Sequence, residues 1–395
     1  MPEARGSTRS PNVPRTVWAL GLVSFFMDLS SEIVHALLPL FLTSTLGASV
    51  ALVGLIDGVA ESAAATSKVF SGYLSDRIGR RKPLILLGYG LGALSKPFFA
   101  LATTASVVLG ARFADRIGKG LRGAPRDALV ADVTPVEIRG RAYGLRQALD
   151  TAGAFAGPLI AIALMALFAN NMRAVFWAAL IPATLAVLCV LFGVEDRAAP
   201  VKGTRIPIRV RDVSRLPRTF WVIVIIGVAF TLARFSEAFL ILKASAEGLP
   251  LTWAPLVLVV MNAIYSVGAY PAGAAADRTK PQVLLLWGLG ALIAADVMLA
   301  FAPGLVGTFV GIALWGVHMS LTQGLLAKLV ADHATPELRG SAFGLFNLTT
   351  GLALLIANVT AGVLWDQFGP EAAFTVGAVF AALSAALLLV GAPRR

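Results

Sequence analysis

Charged and titratable side chains stand in this chain where the surrounding sequence is almost wholly apolar. Asp28, Glu32 and His35 fall at i, i+4 and i+7 in one apolar run, and Asp57, Glu61 and Lys68 at i, i+4 and i+11 in the next. Both spacings put the set on a single helical face. Lys96 follows, then a stack of Arg112, Asp115, Arg116, Lys119, Arg122, Arg126 and Asp127, then Arg146 with Asp150. The later half is sparser, with Arg234, Glu237, Asp296, His318 and Gln323. A charge at the centre of a bilayer costs roughly 2.5–3.5 kcal/mol on the insertion scale, so such groups face the protein interior and pair, bind or carry ions. Ionised carboxylates one turn apart repel, which suits groups that take up and release protons. Asp28 and Glu32 are therefore expected to couple to protons, with Asp57 and Glu61 next. Arg112, Arg116, Arg146, Asp150, Arg234, Glu237, His318 and Gln323 are the residues expected to meet a substrate. The competing reading is that opposite signs in this seam pair off as structural salt bridges. No nucleophile–base pair or metal-ligand spacing appears, so neither metal nor cofactor is expected. His35 beside two carboxylates reads as a hydrogen-bonded interior histidine.

The elements that hold these groups follow from composition. The 395 residues are 57% hydrophobic and 14% charged, against about 25% charged in an ordinary soluble domain. Lipid is the expected solvent. A spanning helix takes roughly 20 apolar residues. Such runs fall at roughly 17–43, 51–75, 83–102, 105–130, 142–168, 174–194, 219–242, 252–276, 282–302, 305–331, 342–365 and 371–392. Twelve transmembrane helices are predicted.

The net charge of +11 would raise the question of nucleic acid in a soluble protein. Here the placement of the charge answers first. With the N-terminus inside, the tails and even-numbered loops hold 21 of the 33 Lys and Arg, against Arg173 and Lys243 in the outer loops. That bias places both termini in the cytoplasm, and the first fifteen residues read as an uncleaved tail. Cys189 is the single cysteine, so no disulfide framework exists.

The segment 195–218 is polar, with seven cations and three prolines, and divides the spans six and six. Internal repeats agree. Val-Pro-Arg-Thr-Val-Trp at 13–18 recurs as Leu-Pro-Arg-Thr-Phe-Trp at 216–221, the stretch 83–94 recurs at 281–292, and 131–145 recurs at 331–345. The offsets are 203, 198 and 200 residues. Parallel duplication predicts two pseudo-symmetric six-helix bundles, 1–194 and 219–395, with a substrate site between them at the midplane.

Gly72-Tyr-Leu-Ser-Asp76-Arg77-Ile-Gly79-Arg80-Arg81, between the second and third spans, resembles the signature loop of the major facilitator superfamily position by position. A degenerate copy, Gly273-Ala-Ala-Ala-Asp277-Arg278, stands in the second half. Arg116-Ile-Gly-Lys119-Gly120-Leu-Arg122-Gly123-Ala124 is similar to that family's fourth-helix motif, with Lys119 in place of the usual Gln. Gly153-Ala-Phe-Ala-Gly157-Pro158 resembles the fifth-helix motif of its antiporters, with Ala161-Ile162 where a Gly pair closes it. Gly118-Lys-Gly120-Leu-Arg-Gly123 also spells a dinucleotide fingerprint, but without the strand and βαβ unit such a loop needs. Its glycines are read as sites of close helix approach.

The resemblance implies alternating access by rocking of the two halves, with Asp76 latching them when the cavity faces outward. The expected function is proton-coupled export of a small organic compound across a bacterial-type inner membrane. Carriage of an anionic metabolite through Arg112, Arg116, Lys119 and Arg146, import, and a polytopic enzyme or receptor are the alternatives. The expected partners are a small molecule, protons and lipid, not nucleic acid, for a chain working as a monomer.

Overall fold

The computed structural model describes residues 12–195, 215–334 and 338–391, without the side chains of Asp277 and Arg339. The tail with Arg5 and Arg9, linker residues 196–214, and Arg394 and Arg395 lie outside the described residues.

Twelve helices make up the described chain. They are α1 (Arg15–His35, continued by Leu38–Leu40 and the wider turns of Phe41–Thr45), α2 (Val50–Ile78), α3 (Lys82–Leu101), α4 (Ala105–Val133), α5 (Arg139–Leu167) and α6 (Met172–Gly193). After the linker come α7 (Arg218–Ala233 and Ala238–Ala246), α8 (Leu256–Arg278), α9 (Pro281–Phe301), α10 (Gly304–Thr322 and Leu325–His333), α11 (Arg339–Phe368) and α12 (Pro370–Gly391). Among the described residues eleven of them are long and apolar enough to cross a membrane. The exception is α4, whose 29 residues carry the stacked charges.

The ends of these helices follow local chemistry. The Ser49 side chain accepts a hydrogen bond from Leu52 N–H at the start of α2 (3.2 Å), satisfying one of the orphan amides of the first turn. Gly79 closes α2 at φ +70° and gives its N–H to Ser75 O, a left-handed position that favours glycine. Proline stands at the first positions of α3 and α9, where its missing N–H is not needed.

Small residues let the helices close on one another. A Cβ on Gly118 would lie 2.5 Å from Gly88 O of α3, and one on Gly120 would lie 2.6 Å from Ala64 O of α2. On α5, Gly153 and Gly157 back directly onto Phe25 and Glu32 of α1. Large apolar side chains such as Phe192, Trp287 and Val390 point outward. In water they would be a liability, but against lipid they are the solvent-facing surface.

Three spans depart from the expected continuous helices. The first breaks after His35, ahead of Pro39. The seventh unwinds at Arg234–Ser236, and the tenth breaks at Gln323–Gly324, with Gly324 at φ +78°. The unwound backbone of α7 is not left unpaired. Ser236 N–H donates to Asn358 Oδ1 (2.7 Å), and Ser236 Oγ accepts from Ala238 N–H (3.2 Å). Lys243, expected in an outer loop, lies instead in the second piece of α7, because that helix runs on to Ala246.

The first six and last six helices meet most extensively along α2 and α11. A Cβ on Gly362 would strike Ala51 Cα at 2.6 Å, and one on Gly58 would lie 3.0 Å from Leu355 Cα. Asp366 of α11 accepts from Val50 N–H (3.0 Å) and Ala51 N–H (2.8 Å), and Thr252 donates to Asn170 (2.6 Å). Toward the end that carries Arg77, Arg80 and Arg81 the halves part. A Cβ on Gly72 would touch only Ala124 of its own half, and Gly340 and Gly144 meet nothing within 4 Å. The molecule is thus closed at the Asp366 end and open at the arginine end.

Candidate functional site

Between the halves lies a cavity of about 440 Å³. One wall, from α1, α2 and α4, presents Glu32, His35, Glu61, Arg116 and Lys119. The other comes from α7, α10 and α11. It presents Phe230, Thr231, Arg234, Phe235, Ser236, Glu237, Leu326, Phe346, Thr350, Leu354 and Asn358. The unwound stretch of α7 delivers Arg234 and Glu237 to this wall, the discontinuous-helix arrangement that many carriers use at the midplane.

Behind the first wall the seam pairs extensively. Arg112 Nε lies 3.3 Å from Asp57 Oδ1, with Glu61 at 3.9 Å from Nη2. Arg116 lies 3.2 Å from Glu61 and 3.9 Å from Asp115, and Lys96 Nζ is 3.0 Å from Asp115. Buried charges are tolerable only when matched this closely. Ser236 Oγ reaches across from α7 to donate to Asp57 Oδ2 (2.7 Å), tying the network to the opposite half. Glu32 contacts His35 Nδ1 at 3.5 Å. By contrast Lys119, Arg234 and Glu237 make no ion pair among the described residues.

A second charge cluster ties α4 to α5. Arg126 faces Asp127 (3.2 Å) and Asp150 (3.6 Å), and Arg146 faces the same two acids at 3.6 Å each. Asp28 lies beside Asp150 of α5. Arg122 lies over the Tyr89 ring, 4.5 Å from its centroid.

The expected binding residues therefore divide. Arg116, Arg234 and Glu237 reach the cavity, as do Glu32 and Glu61 of the expected coupling set. Arg112 and Asp57 pair behind the wall, while Arg146, Asp150 and Asp28 belong to the second cluster. Gln323, at the break in α10, lines a separate pocket with Tyr265 and Ala269 of α8. His318 is fully buried, its Nδ1 on Gly288 O (2.8 Å) and its ring stacked on Phe230. Sequence reasoning missed Ser236 and Asn358, which hold the break in α7. An Asn inside an apolar run was the available signal.

In the signature loop Arg81 pairs with Asp76, donates to Ser75 Oγ (2.7 Å) and lies 3.4 Å from Asp132 of α4. Gly79 makes the turn that brings Arg81 back, while Arg77 and Arg80 are exposed. Gly153, Gly157 and Pro158 are buried on α5 against α1. No group of His, Cys, Asp and Glu among the described residues is arranged to hold a metal ion.

The Major Facilitator Superfamily model matches residues 20–358. The chain is 30% identical over 386 residues to an uncharacterized MFS-type transporter of Methanocaldococcus jannaschii, spanning 95% of this chain and 94% of that one. It is also 30% identical over 310 residues to the class C tetracycline resistance protein of Escherichia coli, spanning 73% and 74% of the two chains. In fold it is similar to the nucleoside transporter NupG, with a TM-score of 0.77, 15% identity, and coverage of 95% of this chain and 98% of that one. A central cavity between two sets of six helices and a family match across most of its length agree: the chain belongs to the Major Facilitator Superfamily, an integral membrane secondary transporter and not an enzyme.

Proposed function

We propose that this transporter exports a small organic compound in exchange for protons. The observation that carries the reading is the Glu32–His35 pair, a carboxyl and an imidazole 3.5 Å apart and both on the wall of a cavity closed at one end. Substrate and proton can compete there for one charged wall, directly or through Arg116. The helices before and after residues 195–218 act as the two rocking bodies, and the arginine end is the cytoplasmic face, with both termini on that side. The inner membrane is the site of action and the monomer the working unit. The tetracycline resistance relative supports the outward direction.

Reconstitution tests it. Under an imposed pH gradient, wild type accumulates a transported compound, whereas Glu32→Gln exchanges equal pools and no longer accumulates. Normal pH-driven accumulation by Glu32→Gln refutes the coupling role.

A second reading, carriage of an organic anion, draws on Lys119 and Arg234, cations facing the cavity without an ion-pair partner among the described residues. Thermal stabilisation by anionic and not by cationic compounds of equal size would favour it.

A further inference from the structure

The carboxyl group of Asp296, in the second half of α9, is 0% exposed, and neither of its oxygens has a hydrogen-bond partner among the described residues. A buried polar group left so is uncommon and calls for a physical explanation. What surrounds it is apolar. A Cβ on Gly377 of α12 would lie 2.9 Å from Asp296 Oδ2 and 3.0 Å from Phe235 Cε1, so the acid and the ring meet over bare helix backbone. Phe235 in turn packs on Trp315 (5.6 Å) and Phe374 (5.4 Å), both fully buried.

Phe235 has two sides. It belongs to the unwound stretch of α7, and it also lines the central cavity. A side chain on non-helical backbone thus faces the cavity and also approaches the same point of Gly377 as the carboxyl group. We propose that Asp296 is a second proton-binding site, shut off behind Phe235 in this conformation and opened to the cavity when the unwound stretch of α7 shifts. An isolated carboxylate cannot stay ionised in such a pocket without a partner, so opening and closing of the ring decides when a proton enters or leaves. The proton comes from cavity water and returns to it.

The neighbouring charged groups do not supply a permanent partner. His318 of α10 directs Nδ1 to the Gly288 carbonyl, and its Nε2 has no hydrogen-bond partner among the described residues. Arg234 lines the cavity beside Phe235, and Glu371 stands in the first turn of α12. On α8, Arg278 is in the last turn. The transport reading gives this site its purpose, but its first test does not depend on that reading.

A hydrophobic carbodiimide adds to a carboxylic acid in an apolar setting. Peptide mapping of purified protein treated with dicyclohexylcarbodiimide should find an adduct on Asp296, formed faster in Phe235→Ala and absent from Asp296→Asn. In proteoliposomes Asp296→Asn should keep exchange and lose part of the pH-gradient-driven accumulation, with Asp296→Glu restoring it. Should Asn fail to fold, the Glu variant and the Phe235→Ala labelling rate carry the test. Absence of the adduct from both wild type and Phe235→Ala, or unchanged pH dependence in a folded Asp296→Asn, overturns the proposal. Failure of Glu32→Gln to alter coupling would count against the transport reading alone.

Discussion

Replacing Asp366 by alanine should tip the molecule away from the conformation described. Its two carboxylate oxygens accept from consecutive backbone amides, Val50 N–H and Ala51 N–H, at 3.0 and 2.8 Å. These are orphan donors at the positive end of α2. A hydrogen bond to a charged group contributes about 1.5–3 kcal/mol, but this site is exposed, so each bond is discounted to well under that. Together with a dipole contribution of about 0.3–1 kcal/mol, the latch holds the Asp366 end shut by about 1–2 kcal/mol. That corresponds to a factor of about 5–30 in the ratio of the two conformations. Spin labels on Ile78→Cys and Arg278→Cys, in a background with Cys189 replaced, report on the opposite end, where both positions are exposed. Asp366→Ala should shift the distance distribution toward shorter separations as that end closes, and Asp366→Asn should give a partial shift. An unchanged distribution in a folded variant would refute the latch.

Arg112→Gln alone should lower the melting temperature sharply, since removing one member of a buried pair costs about 3–5 kcal/mol, while the paired change Arg112→Leu with Asp57→Leu should recover much of it in thermal unfolding. Asp76→Asn should slow transport without loss of folded protein, on the expectation that Asp76, held by Arg81 here, latches the arginine end when it closes; cysteine labelling at that end would report it. Glu247, just past α7, receives the Lys243 ammonium (2.6 Å) and Gly304 N–H (2.7 Å). These bonds hold its carboxyl below the ordinary glutamate value. Their contribution is therefore full at neutral pH and lost as pH falls through that lowered value. The melting difference between wild type and Glu247→Gln should shrink on acidification, and a difference that grew would contradict the sign.

Spans, repeats and the signature loop were legible because each is a one-dimensional pattern: hydropathy over twenty residues, identity at an offset near 200, glycine and charge at fixed positions. The pairing of Arg112 with Asp57, and of Asp28 with Asp150, was not. Asp28 and Glu32 share a helical face, yet one turn of advance sends Glu32 to the cavity and Asp28 to α5. Which way each points depends on how α1 is rotated against its neighbours. The break in α7 was hidden for another reason. Nothing in Ala233-Arg-Phe-Ser-Glu-Ala238 is glycine or proline; the helix opens there because Asn358, some 120 residues later, offers its amide oxygen to Ser236 N–H. Gln323 is itself the residue at which the helix of Gly304–Thr322 ends, so a register that treats the tenth span as one helix assumes a continuity that the chain lacks there.

The charge of α4 has a consequence for how the chain is made. A segment bearing Arg112, Asp115, Arg116, Lys119, Arg122 and Arg126 is rejected by the bilayer when it emerges alone, each charge adding about 2.5–3.5 kcal/mol to its insertion. Arg126 finds Asp150 downstream on α5, but the partners of Arg112, Asp115 and Arg116 are upstream: Asp57 and Glu61 on α2 and Lys96 on α3, with Gly88 shaped for the backbone of α4. The nascent chain must therefore retain α2 and α3 at the translocon until α4 can dock on them, making insertion of the fourth helix a tertiary event. Glycosylation mapping of truncated chains should find α4 inserted when Asp57 and Glu61 are present and excluded when both are replaced by alanine. Equal insertion in the two cases would mean that the bilayer accepts α4 unaided.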